Sequence, residues 1–162
     1  MKMRFRTDGF HYADLKARGK TFEEYYNNLE DPQKSEWKVQ WDLIPPAEPG
    51  DVWRVHWGGI GNEGKLAGYA ICCILCRHVH TWTSASNCRD DWQEHHWTDK
   101  DGKDQVYHDC RHQREHTSCW TWTGSAEENT LNGSPSLQVI PHPDWDNCNF
   151  HGHLINGDLH EG

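Results

Sequence analysis

The sequence predicts a mainly β protein, a small antiparallel fold pinned by a metal site and preceded by a short N-terminal helix. Three observations predict it. Aromatic and β-branched residues alternate in short runs bounded by Gly, Pro and Asn, which is the period-2 signature of half-buried strands. The last of these runs is closed by Asn156-Gly157, a strong hairpin-turn dipeptide. Two half-sites, Cys73-Ile-Leu-Cys76 and Cys148-Asn-Phe-His151, each place two metal donors across a two-residue gap. Together they make a Cys3His set, the donor chemistry of tetrahedral zinc, so zinc is the expected cofactor.

Residues 1–50 read as a polar extension packed on the core. Thr21-Phe-Glu-Glu24 has a capping-box pattern and predicts a short helix running to about Leu29, with Asp31-Pro32 ending it. Trp37, Val39 and Trp41 alternate and predict a strand over Glu36 to Leu43. The Pro/Gly-rich stretch from Pro45 to Gly50 stops any regular element and marks the boundary with a zinc-pinned β domain over residues 51–162.

Asp51 to Trp57 alternates again and predicts a half-buried strand. Gly58 to Gly64 is a loop without the spacing or the Lys-Ser/Thr of a phosphate cradle. Ala67 to Cys72 is an apolar run that predicts a buried strand ending at the first knuckle, and Val79 to Thr83 predicts its returning partner. From Asp104 to His116 there is neither Gly nor Pro, which allows a helix that would stack His108, His112 and His116 on one face. Cys119 to Thr123, Leu137 to Ile140 and Phe150 to Ile155 predict three more strands, the first followed by a turn from Gly124 to Asn129. In a straight strand, residues three apart face opposite sides, so Cys148 and His151 share a metal only if the chain bends between them.

Composition bounds the function. The chain has 162 residues and a net charge of −9, and it shows no basic patch, which argues against a nucleic-acid partner. Its longest apolar run, Ala67 to Cys76, falls short of the ~20 residues of a membrane span, and no secretory signal is visible in the first residues. Seven cysteines, two of them adjacent, do not suggest an evenly spaced disulfide framework, and a reducing cytoplasm is the expected location. Ten tryptophans and thirteen histidines point to an aromatic core and to ligand chemistry. Cys88, Cys110 and Cys119 stay open between buried thiols and ligands of another metal.

The series Cys73-x-x-Cys76, Trp120-x-Trp122-x-Gly124, Thr130-Leu131, Ser134-Pro-Ser136-Leu137 and Cys148-x-x-His151 up to Gly157 resembles a family of small phage-encoded proteins. These are often mislabelled ammonia monooxygenases and are similar to the peptidase component of bacterial ubiquitin-like (Bub) conjugation operons. The resemblance spans Tyr69 to Leu159, with the His-rich stretch as an insertion. It implies a zinc-containing fold, a location in the host cytoplasm or the virion, and a serine-dependent peptidase or esterase acting on a ubiquitin-like protein. Ser136 would be the nucleophile and His80 or His151 its base.

Three functions follow as expectations. The first is a zinc-stabilised, Trp-rich binding or structural module with a virion or host protein as partner. The second is the serine-dependent hydrolase, with Ser136 and His80 as its first-choice catalytic pair. The third is a metallohydrolase built on His112-Gln-Arg-Glu115-His116, an H-x-x-E-H pattern.

Overall fold

The structure, a computed structural model, describes residues 1–27, 31–56, 66–84, 93–109, 119–139, 141 and 147–162. Among them the fold is mainly β, with antiparallel sheets and short N-terminal helices. One four-stranded sheet is ordered β1 (Arg4–Phe5), β2 (Asp51–His56), β3 (Leu66–Cys72) and β4 (Val79–Thr83). A second is ordered β10 (Asp158–Glu161), β9 (His151–Ile155), β8 (Asn132–Gln138) and β7 (Thr121–Thr123). A separate hairpin pairs β5 (Gln93–Thr98) with β6 (Asp104–Asp109).

The two larger sheets meet at both seams. Ser84 bridges Trp120 between β4 and β7, and Lys2 bridges Asp158 between the N-terminus and β10. They enclose one core in which Val52, Tyr69, Ile71 and Trp82 from the first sheet pack against Leu137, Phe150, Leu154 and Leu159 from the second half of the chain. The alternation read in the sequence explains who faces whom. Val52 points into this core, while its neighbour Trp53 points outward into a second cluster with Ala13, Ile44, Ala47, Ala70 and Cys72.

That second cluster is where the N-terminal segment docks. Helix α1 (Phe10–Ala17) covers the outer face of the first sheet, which is why β3 is buried on both sides and reads as a continuous apolar run. Helix α2 (Phe22–Tyr25) opens with the predicted capping box, in which Thr21 Oγ1 accepts from Glu24 N at 3.2 Å. It stops at Tyr25 rather than near Leu29.

The strand predicted over Glu36 to Leu43 is instead part of helix α3 (Asp31–Leu43), and Asp31-Pro32 begins this helix rather than ending the previous one. The spacing explains the difference. Trp37 and Trp41 are alternate-but-one as well as four apart, and four apart is one helical face. Trp41 is buried against Tyr12 and Phe22 and Trp37 stacks on Tyr26, whereas Val39, which a strand would have put with them, is exposed. Pro32 is tolerated because the first turn of a helix has no use for its missing N–H.

The helix allowed over 104–116 is not formed where the chain is described, because Asp104–Asp109 is strand β6, paired antiparallel with β5. Residues 110–118, and with them His112, Glu115 and His116, lie outside the described residues. So do the glycine loop, Cys88 and the stretch before Asn147. Residues 1–50 are woven into the fold, since β1 pairs with β2 through Arg4↔Asp51 and Phe5↔Val52. No helix of the described residues is long and apolar enough to cross a membrane.

Candidate metal centre and a serine–histidine pair

Cys73, Cys76, His80 and Cys148 converge at one end of the core, with one donor atom from each lying within 4.8 Å of the others. This group can hold a metal ion. Cys73 and Cys76 lie on the turn that leaves β3, His80 on β4 returns from that turn, and Cys148 comes in just ahead of β9. The Cys73 and Cys148 sulfurs are 3.8 Å apart. That is the edge of a tetrahedron with metal–sulfur bonds of ~2.3 Å. Cys76 Sγ and His80 Nε2 are 3.1 Å apart, somewhat tighter than the same tetrahedron would set them.

Local backbone geometry prepares these sulfurs for a metal. Each takes an amide from two residues ahead: Leu75 N to Cys73 Sγ at 3.3 Å, His78 N to Cys76 Sγ at 3.5 Å, and Phe150 N to Cys148 Sγ at 3.4 Å. Such bonds favour the thiolate. The first turn is closed by Cys73 N to His78 O and Arg77 N to Cys73 O, with Arg77 at φ 66°. Without a cation, burial pushes the Cys76 and Cys73 thiols up, and neighbouring Cys148 adds to the effect against the amide bonds that lower it. Thiolates a few ångströms apart repel one another, and a bound cation would let Cys73 and Cys76 ionise together. Cys72, one residue earlier, faces the helices instead. Its thiol is raised to about 12 by burial and donates to Arg77 O at 3.3 Å.

The fourth donor is His80, where the sequence pointed to His151. From Cys148 to Ile155 the chain alternates without a bend, with Cys148, Phe150, Gly152 and Leu154 buried and Asn149, His151, His153 and Ile155 exposed. Strand alternation thus sends Cys148 to the Cys73, Cys76 and His80 group and His151 to the opposite face. His80 faces inward because it pairs with Ile71, a core residue of β3. A Cys-x-x-Cys turn followed by a returning strand is the signal that could have found it.

His151 meets Ser136 instead. Its Nε2 lies 2.8 Å from Ser136 Oγ, within hydrogen-bond reach, whereas His80 stands with the cysteine group. The sequence around Ser136 explains how the hydroxyl gets there. Gly133 pairs with Leu154, but Leu137 already pairs with Gly152, so four residues of β8 span two of β9 and Ser134-Pro-Ser136 forms a bulge. Bulges re-aim side chains, and proline tolerates such a position because it has no N–H to lose from the ladder. The bulged strand is held from inside by two indoles: Trp120 Nε1 donates to Ser136 O at 3.2 Å and Trp82 Nε1 to Gln138 O at 3.3 Å. Trp82 and Trp120 meet edge to face, and Trp82 in turn lies against the ring of His80. The metal donors and the Ser136 strand are therefore in contact through two packed rings.

Gly152, between His151 and His153, has a steric reason to be glycine. A Cβ there would collide with the His160 carbonyl and the Phe150 ring. Cys119 is disulfide-bonded, a link the cysteine count did not suggest, and so is not a metal ligand. Comparisons with protein-family models, with curated proteins and with solved structures find no match.

Proposed function

We propose that this chain is a serine-dependent peptidase or esterase, with Ser136 as nucleophile and His151 as general base, on a β scaffold pinned by zinc at Cys73, Cys76, His80 and Cys148. The observation that carries the reading is the 2.8 Å approach of His151 Nε2 to Ser136 Oγ. A serine hydroxyl is a weak nucleophile until an adjacent base removes its proton, and this distance is within the reach such a transfer needs. For that step Nε2 is unprotonated and the Ser136 hydroxyl donates to it. As Oγ bonds to the acyl carbon, the proton moves to Nε2. His151 then returns it to the leaving group, and water reverses the sequence to free the acid.

Zinc in this reading is structural. Three cysteines and a histidine fill a tetrahedron and leave no open position for a water. Its chemistry is to join the β3–β4 turn to the start of β9, which fixes where His151 begins its strand. The substrate class comes from the family resemblance, a ubiquitin-like protein or its fusion. The pair lies on a solvent-facing side of the sheet, with His151 exposed, a placement suited to a macromolecule approaching from outside.

The second reading, a binding module for a virion or host protein, has the β5–β6 hairpin in its favour. This two-stranded sheet exposes Trp97 and Val106, and an isolated hairpin is marginal in water without something to pack on. One experiment separates the two readings. Purified wild type and Ser136→Ala, matched for metal content, are incubated with a ubiquitin-like fusion and with a chromogenic ester. Turnover by wild type that disappears in Ser136→Ala supports the hydrolase; equal turnover, or none from either, leaves the binding module as the function.

A further inference from the structure

We propose that the outer face of the C-terminal sheet carries a second metal site, formed by His151, His153 and His160, for a divalent transition ion such as Zn, Ni or Cu. β9 turns Gly152 and Leu154 inward and His151 and His153 outward, so these two imidazoles stand on the same face of one strand. β10 pairs His160 directly with His153. Directly opposed antiparallel residues hold their Cβ atoms ~4.5–5.5 Å apart, and residues two apart on a strand are separated by two rises of ~3.3 Å. Three imidazoles on so small a triangle can reach one ion at metal–nitrogen distances of ~2.0–2.1 Å.

The approach has already begun between two of them, since the His151 and His153 rings lie 5.9 Å apart at an interplanar angle of 67°. All three side chains are exposed. They do not converge as the cysteine group does, and His151 Nε2 lies 2.8 Å from Ser136 Oγ. Asp158, next to His160 on the far side of one residue, adds negative charge near the site while bonded to the Met1 ammonium and close to Lys2.

The donor set selects the ion. Three neutral imidazoles without a carboxylate suit borderline cations and not calcium or magnesium. Three protein ligands also leave a fourth position for water, unlike the closed Cys3His group. An ion taken through His151 Nε2 displaces Ser136 Oγ from that nitrogen and so detaches the base. That inhibitory consequence rests on the proposed hydrolase; the site itself does not.

The test is calorimetric titration of zinc into protein whose cysteine site is already loaded, using wild type, His153→Gln, His160→Ala and, as a control for a chain rich in histidine, His96→Ala from the separate hairpin. Circular dichroism confirms that each variant is folded. The expected result is a weaker binding event in wild type that is lost in His153→Gln and in His160→Ala and kept in His96→Ala. Absence of that event in wild type, or its survival in either His153→Gln or His160→Ala, overturns the site. Neither outcome depends on whether Ser136 turns over a substrate.

Discussion

Replacing His80 by alanine is expected to cost the protein its metal and its fold, whereas replacing His151 costs neither. His80 is the one nitrogen donor among four that lie within 4.8 Å of one another, and burial raises the Cys73 and Cys76 thiols, an effect that a bound cation would offset. A structural zinc contributes on the order of 10–16 kcal/mol to folding. A domain of this size has a net stability of only ~5–15 kcal/mol, so losing much of the metal term removes most or all of the margin. His151, by contrast, is exposed and bonded to one exposed hydroxyl. Its truncation belongs with surface changes of ~0.5 kcal/mol, which move a melting temperature by no more than ~2 °C. The assay is elemental zinc content per chain after exhaustive dialysis, which strips the weaker outer-face histidine site and leaves the cysteine site loaded, together with thermal melts followed by circular dichroism. His80→Ala is expected to purify metal-poor and to melt far below wild type or aggregate, and His151→Ala to match wild type in both. The reverse pattern, with metal lost in His151→Ala and kept in His80→Ala, would refute the ligand assignment.

Zinc binding to the metal-free protein should release protons, because Cys73 and Cys76 are held neutral by burial. Apparent affinity therefore rises with pH through the neutral range, and the calorimetric heat varies with the buffer's ionisation enthalpy; a pH-independent affinity contradicts this. The sign for the apo fold is opposite: thiol pKa values raised on folding stabilise it fully below the ordinary thiol value of ~8.5, and that contribution fades as pH climbs above it. Asp51→Asn should lower the urea midpoint by the equivalent of ~3–5 kcal/mol, since this carboxylate is 1% exposed and accepts from Arg4, Arg6 and the Glu48 amide; an unchanged midpoint would show the network to be dispensable. Gly152→Ala should destabilise by ~1–3 kcal/mol or more, because the new methyl meets backbone that cannot swing away, and a melt like that of wild type would disprove the close approach of β10.

The sequence exposed most of the β framework because its strands are half-buried and alternate. β2, β4, β7 and β9 fall within the predicted runs, β3 starts one residue before its run, and Asn156-Gly157 makes the turn expected of it, with both residues at positive φ. Helix α3 was misread because Trp37 and Trp41 satisfy period 2 and period 4 alike, and only the burial of Trp41 beside an exposed Val39 decides between them. β1 was too short, and β5 and β6 too polar, to leave a periodic trace. At the metal site, three of the four donors were legible from spacing. The fourth was not, since Cys148-x-x-His151 satisfies the motif while strand geometry forbids it, and His80 belongs to no ligand pair within the chain's local pattern. The same swap explains the serine. Ser136 stands out in the Ser134-Pro-Ser136 run, but which imidazole reaches its hydroxyl depends on a bulge that no propensity announces.

The most direct measurement is covalent labelling by a fluorophosphonate, read by intact mass and peptide mapping on wild type, Ser136→Ala and His151→Ala with equal metal content. An activated serine attacks phosphorus and expels the leaving group, whereas an ordinary surface serine does not react. The predicted result is a single adduct on Ser136, lost in Ser136→Ala and slowed on the order of a hundredfold or more in His151→Ala, which has lost its general base. No adduct on Ser136 in wild type, or an adduct forming at the same rate without the His151 imidazole, would contradict a serine–histidine pair built for catalysis.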